Sequence, residues 1–558
     1  MISGSTLSYF FGFWALAYLI DAGLSVHPFT KQRYLELRGR SGISIQVLQA
    51  RFFTQKLNPF FQRLGSVDWF PWGLWFSIGT AFSAIFMCLS VVVLSLLAYN
   101  TVMRKPIEKQ IITPVMPGVN LPLSHIGFYM LTLLICVVLH EAGHALAALR
   151  EKVRLHGFGF FLFGIYPGAY VDISDSDLCS LSPLRQLKIY CAGVWHNGVI
   201  VFLSLVVFHA LPWLLVPAYS TNRGVGVVSV LEHSVFTGHR GLHSGDAITQ
   251  INACPVNTAE EWYRCLEEVQ QKSSGYCVPG SYLNMLDPSH VRAQPGARRL
   301  SAVLPVDNQA EVAARLPRVS ADTVAAPKAL VVAASHDCCA PHLASTHLCF
   351  AHFHSLGKHG KQSRKPKYVC LPARAVTERE PCIAPSDCGP LATEGDQRPV
   401  CLIPAPPDNH THLIRIVHNR ARSPAILFLG PVEDLVASIE ISNYVPRWPQ
   451  LFPCRLPQLI ATFCIYLFSL SGALVLLNVV PCYALDGQWI LKALLDLLLP
   501  SFICGRQFKR ILFSSIIALG TGLLSVNIAL ALWYLILETS VTPTATFSSA
   551  STAPQMPL

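Results

Sequence analysis

Six apolar runs decide what this chain can fold into before any single residue is weighed. They lie at residues 7–20, 69–99, 126–149, 187–216, 456–499 and 511–537, the fifth interrupted at Pro481. A helix of about 20 apolar residues crosses a bilayer core, and in hydrocarbon the chain must satisfy its own backbone groups, which favours helices. The composition agrees. Of the 558 residues, 52% are hydrophobic and 13% charged, whereas soluble domains carry about 25% charged residues. The first run, "LSYFFGFWALAYLI", ends at Asp21 and lacks the basic residues that precede the apolar core of a signal peptide, so it reads as a retained anchor.

The net charge is +10, but no basic cluster is interleaved with aromatics, so nothing in the sequence points to nucleic acid as a partner. Most of the local excess lies between His27 and Ser66, where Lys31, Arg33, Arg38, Arg40, Arg51, Lys56 and Arg63 face a single acid, Glu36. A basic segment behind an apolar one attracts anionic lipid headgroups or marks the cytosolic side. The lipid bilayer is therefore the first expected partner.

Residues 219–448 form an extramembrane insert between the fourth and fifth runs. Ten cysteines lie in it (Cys254, Cys265, Cys277, Cys338, Cys339, Cys349, Cys370, Cys382, Cys388 and Cys401), beside a glycosylation acceptor at Asn409-His410-Thr411. An even count beside such an acceptor predicts disulfides in an oxidising, lumenal compartment. A zinc site is the rival reading, but no CxxC pair occurs there. The stretch "GVGVVSVLEHSVFTGHRGLHSGDAITQINACPVNT" alternates short strands with glycine turns and resembles the opening half of a PDZ domain of the protease-associated kind. Candidate closing strands lie in "HLIRIVHNRARSPAILFLGP", after the Cys-rich insertion. Such a fold can capture a peptide by strand addition; a small β domain that only shields a site from bulky substrates is the equal alternative.

The chemistry is concentrated in the third run. His140-Glu141-Ala142-Gly143-His144 fits HExxH, and on a helix positions i and i+4 share a face, so both imidazoles can reach one zinc ion. Glu141 stands where it can take a proton from an attacking water and pass it to a leaving amine. In a soluble helix the three side chains could form a solvated face, but inside an apolar run that explanation fails. A charged residue at the centre of a membrane helix costs about 2.5 to 3.5 kcal/mol, so such residues point to function.

Zinc needs a third protein ligand and an open fourth position. The fifth run offers Asp486 in "LLNVVPCYALDGQWI", a lone carboxylate after the helix-breaking Pro481 and before Gly487. A broken membrane helix is tolerable only where its freed backbone groups are buried in protein or line a cavity. Cys482 is a weaker candidate ligand, four residues away on an irregular stretch.

With these residues in view, the sequence resembles the site-2 proteases, the intramembrane zinc metalloproteases. The resemblance rests on "VVLHEAGHALAALRE", on Asn478, Pro481 and Asp486-Gly487 within "NVVPCYALDGQWI", on "GFGFFLFGIYPGAYVD" and on "CAGVWHN", and extends from about residue 110 to 540. It implies His140, His144 and Asp486 as ligands to one zinc per chain and Glu141 as general acid/base. It also implies that Asn478 orients substrate or an oxyanion. Gly193 and Asn197, spaced GxxxN, match the family's helix-packing and substrate-facing motif, and "FGFFLFGIYPGAYV" matches a membrane-embedded hairpin whose edge can pair with an unwound substrate. By resemblance, the substrates are transmembrane helices of membrane-bound transcription factors, such as sterol regulatory element-binding proteins and stress-response factors. They are first cut in the lumen by the site-1 protease, and the second cut, in Golgi or endoplasmic reticulum membranes, releases a cytosolic fragment.

The expected architecture is a polytopic α-helical membrane protein with a lumenal PDZ-like β domain carrying a Cys-rich insertion. The expected parts are N-terminal spans and a basic loop (1–121), the first part of the catalytic core (122–218), the insert (219–448), the second part of the core (449–538) and a Ser/Thr/Pro-rich disordered tail (539–558). Two other functions compete. A pseudoprotease that binds helices would be favoured by the loss of His140, Glu141, His144 or Asp486, and all four are present. A metal transporter would spread ionisable groups across the membrane's depth, whereas here they converge on one ligand set.

Overall fold

The computed structural model describes residues 4–103, 123–238, 240–286, 338–339, 343, 345–352, 366–389, 399–406, 408, 410–420, 423–499 and 505–541. The proposed glycosylation acceptor Asn409 and the tail beyond residue 541 lie outside the described residues. The chain divides into two compact units, Met1–Leu211 with Leu459–Leu558, and Pro212–Gln458.

Six helices among the described residues are long and apolar enough to cross a membrane. They are Gly4–Val26, Trp72–Val102, Ile126–Arg150, Pro183–Leu215, Leu456–Val479 and Arg506–Val541, taken below as the first to sixth spans. The first continues past Asp21, where the sequence reading ends it. Asp21 is buried there, accepting a 2.6 Å hydrogen bond from the Tyr34 hydroxyl and lying 3.6 Å from the Arg38 guanidinium. Both partners come from the helix Lys31–Ser41, so the carboxylate is satisfied and need not end the span. The sixth span likewise runs three residues beyond Glu538.

A four-stranded antiparallel sheet belongs to the same unit: β1 (Ile43–Gln46), β2 (Gln49–Thr54), β3 (Leu155–Phe163) and β4 (Tyr166–Ile173), in that order. The expected hairpin is β3–β4, paired from Leu155↔Ile173 to Phe163↔Tyr166. The sequence reading missed β1 and β2, taking their segment as a basic loop. They cover the far edge of β3, with Phe53 opposite Gly159, and β4 is left as the edge strand nearest the third span.

Two apolar clusters hold this unit together, and both include the fourth span. One packs Phe76, Ala145, Ala148 and Phe158 against Ile189 and Ala192. The other packs Leu187 and Val194 against Met87, Val475, Ile517 and Ile490, the last from the helix Asp486–Leu498. The fourth span is thereby packed against both site-bearing helices.

Among its described residues the second unit contains two larger sheets and a two-stranded pair, β5 (Tyr219–Ser220) with β17 (Val445–Pro446). In the first the order is β15-β14-β7-β6-β16, from Ile426–Gly430, His412–His418, Ala247–Ile251, Val225–Val230 and Ile439–Ser442, with β8 (Cys254–Pro255) on β7. Its closing strands β14 and β15 fall in the segment expected for them. The helix Ala259–Gln271 packs on it because Trp262, Cys265, Leu266 and Val269 recur at helical spacing and enter one core with Val225, Ile248 and Ile414. Thr258 caps that helix, its hydroxyl accepting from the Glu261 amide at 3.2 Å. The second sheet is β11-β10-β13-β9-β12, from Lys367–Pro372, His347–His352, Val400–Pro404, Gly275–Val278 and Pro381–Cys382. All ten cysteines of the insert are in disulfides: Cys254–Cys265, Cys277–Cys388, Cys338–Cys349, Cys339–Cys370 and Cys382–Cys401. The rival zinc site therefore has no free thiol from these ten to bind through.

Candidate active site

His140 and His144 stand one turn apart on the third span, with their Nε2 atoms 3.2 Å apart. Oδ2 of Asp486 lies 2.9 Å from Nε2 of His140 and 3.4 Å from Nε2 of His144. The 2.9 Å approach lacks the alignment of a hydrogen bond, since Oδ2 is buried without a hydrogen-bond partner. Three electron-pair donors thus converge, and no hydrogen-bond donor among the described residues serves that oxygen.

These distances suit one metal ion. A tetrahedral zinc with bonds of about 2.0 to 2.1 Å has ligands about 3.3 Å apart, which agrees with a triangle whose sides are 2.9, 3.2 and 3.4 Å. A second observation comes from Gly193 on the fourth span. A Cβ there would lie 2.6 Å from Nε2 of His140 and closer still to Nε2 of His144. The absence of a side chain keeps open the space that the two rings face.

Asp486 reaches this point because the fifth span stops at Val479 and a new helix begins at Asp486. Between them the freed amides find partners: Cys482 donates to the Val480 carbonyl at 2.8 Å, Tyr483 to the Thr521 hydroxyl at 3.1 Å and Ala484 to the Gln488 side chain at 3.3 Å. Gly487 is required by close approach, since a Cβ there would strike the Val480 carbonyl. As the first residue of its helix, Asp486 also lies at the positive end of the helix dipole, which favours a carboxylate.

Glu141 is held differently. Its Oε2 accepts a 3.0 Å hydrogen bond from the backbone N–H of Val171 on β4. The amide that pins Glu141 therefore points away from β3, so the carbonyl of Val171 points away from β3 too, as do the backbone groups of Ala169 and Ile173. Pro167 falls on the same outward set and lacks an N–H.

The remaining expected site residues fall as follows. Asn197 is wholly buried, its side-chain amide 3.1 Å from Nδ1 of His140. Pro481 is buried in the break, where its carbonyl meets Gly520 of the sixth span. Asn478 is half-buried in the last turn of the fifth span, eight residues before Asp486. Cys482 packs with Leu94 and Val480 and is not among the converging donors. Two contacts had no sequence signal because a backbone atom supplies them. One is the Val171 amide; the other is the carbonyl of Ile189, 2.8 Å from Nδ1 of His144.

The peptidase family M50 model matches residues 128–521, a stretch that holds the site-bearing turns of both helices. A membrane-bound transcription factor site-2 protease homolog of Arabidopsis thaliana is 26% identical over 472 residues, covering 76% of this chain and 80% of its own length. The family match spans most of the chain and includes His140, Glu141, His144 and Asp486 together. The chain belongs to peptidase family M50, the intramembrane zinc metalloproteases of the site-2 protease kind.

Proposed function

We propose that His140, His144 and Asp486 hold one zinc ion and that Glu141 is the general acid/base of peptide hydrolysis inside the membrane. The observation that carries this reading is the convergence of the two Nε2 atoms and Oδ2 within hydrogen-bond distances of one another. Zinc bound there supplies the Lewis acidity that makes water nucleophilic near neutral pH and polarises a carbonyl. Glu141 takes the proton of the attacking water as its oxygen bonds to the scissile carbon. It then gives that proton to the amine as the C–N bond breaks.

A substrate helix protects its own amides, so the scissile segment must unwind, and its freed backbone groups then need partners. The outward groups of Ala169 and Ile173 and the outward carbonyl of Val171 on β4 offer them by strand addition, beside the carboxylate that the Val171 amide holds. Asn478, half-buried at the end of the fifth span, orients the substrate or its oxyanion. The substrates are transmembrane helices of membrane-bound transcription factors, a reading favoured by the name of the Arabidopsis relative, and the resemblance to the site-2 proteases implies that the site-1 protease has already cut them on the lumenal side. Five disulfides suit an oxidising lumen for residues 219–448, in Golgi or endoplasmic reticulum membranes, and the first sheet there acts as a PDZ-like module.

Glu141→Gln is the decisive variant. It should keep one zinc per chain and the wild-type elution profile, while cleavage of a transmembrane substrate falls about 10²- to 10⁴-fold. Cleavage at the wild-type rate would sink the assignment of Glu141.

A further inference from the structure

Ile189, Gly193 and Asn197 are spaced four apart on the fourth span and so line one helix face. That face meets the two histidines in antiparallel order. At one end Nδ1 of His144 lies 2.8 Å from the Ile189 carbonyl oxygen. In the middle Gly193 leaves room for both Nε2 atoms. At the other end the side-chain amide of Asn197, placed with Nδ2 toward the ring, lies 3.1 Å from Nδ1 of His140.

A carbonyl oxygen only accepts. His144 therefore carries a proton on Nδ1 and, when neutral, presents a lone pair at Nε2. For His140 the tautomer depends on Asn197, because a side-chain amide can either donate or accept. If its nitrogen donated to Nδ1, the proton of the neutral ring would sit on Nε2, in the space the three donors share. If its oxygen accepts from Nδ1–H, Nε2 is left with a lone pair there. The two ends of the amide have nearly the same shape, so hydrogen bonding rather than packing selects between them. Asn197 is fully buried, and Oδ1, turned away from the ring, has no hydrogen-bond partner among the described residues. The side chain thus has one polar contact, and that contact is His140.

We propose that Asn197 is a positioning residue of the metal site. With its amide turned end for end, so that Oδ1 faces the ring, it accepts the Nδ1–H of His140 as the Ile189 carbonyl accepts that of His144, and together they set both rings to ligate through Nε2. The fourth span is then the outer shell of the site, one residue per turn. The proposal rests on the zinc reading given above, and it assigns Asn197 to the metal rather than to the substrate.

The test is zinc affinity of the full chain in detergent, measured by competition with a chelator, for wild type, Asn197→Asp and Asn197→Leu. Asn197→Asp keeps an acceptor oxygen and should hold zinc at least as well as wild type. Asn197→Leu fills similar volume without an acceptor and should weaken zinc about 10- to 100-fold. If Asn197 only packed the helices, the buried charge of the Asp variant would make it the worse of the two. If it faced substrate, all three proteins would hold zinc equally and only KM would move. Either result overturns the proposal. Should Asn197→Leu not purify as a monodisperse protein, Asn197→Ala set against Asn197→Asp makes the same comparison. A wild type that takes up no zinc would be seen before any variant is made, and would overturn the zinc reading itself.

Discussion

In the unit formed by residues 212–458, Val225, Ile248, Trp262, Ile414 and Leu435 are removed from solvent into one core, and five disulfides lie in the same unit. In the unit that carries the site, apolar side chains are plentiful but decide less, because lipid tails are as apolar as a protein interior. Small residues and polar contacts do the specifying there. Gly193 admits two imidazoles, Cys136 and Ser471 meet at 3.0 Å between the third and fifth spans, and the Asn527 amide donates to the Leu94 carbonyl at 3.1 Å between the sixth and second. Burial and cross-links stabilise one unit, and close approach with polar pairing gives the other its register.

The sharpest break of this contrast is a single methyl group. Gly193→Ala would place a Cβ among the converging donors and should abolish zinc binding and cleavage together, while the disulfides of residues 212–458 stay intact by non-reducing mass spectrometry. Full zinc content in that variant would mean that the third and fourth spans separate easily, against the close-approach account.

Disulfide removal probes the other unit. Cys277 and Cys388 close a loop with a sequence separation of 111, Cys254 and Cys265 one of 11. Chain-entropy arguments give about 4 to 5 kcal/mol for the first and about 3 kcal/mol for the second. Replacing each pair by serine should lower the denaturant resistance of this unit in that order, with zinc content unchanged. Equal losses from the two pairs would remove loop length as the cause.

The smallest effect concerns an exposed pair in the site-bearing unit. Arg154 donates to both carboxylate oxygens of Asp177, at 2.7 and 3.0 Å, and holds that carboxyl down at about 2. A depressed carboxylate contributes stability above its unfolded value, near 4, and loses it as pH falls toward 2. Arg154→Ala should therefore change thermal unfolding slightly at neutral pH and progressively less as pH falls through 2, and leave cleavage as it was. A large loss at neutral pH would show that surface pairing matters more in this unit than the contrast allows.

Legibility in the sequence followed the same divide. The HExxH helix could be read because three ionisable side chains inside an apolar run need a reason, and Asp486 because Pro481 breaks its helix just before it. The closing strands at residues 412–430 were visible through alternation. The strands β1 and β2 were not, because Arg51 within β2 and the basic residues on either side of the pair point to a charged loop. Asp21 was misread as the end of the first span, since its partners Tyr34 and Arg38 lie on the next helix and only folding brings them near.

By itself the sequence determined the six spans, the cysteine framework and the residue types of a zinc protease, because hydrophobic length and buried charge are local properties. Only the tertiary structure decided the disulfide pairing, the Val171 amide that holds Glu141, the Ile189 carbonyl that orients His144 and the contact of Asn197 with His140. Backbone donors and acceptors are the same at every residue, so no sequence pattern marks which of them a fold will bring to a side chain.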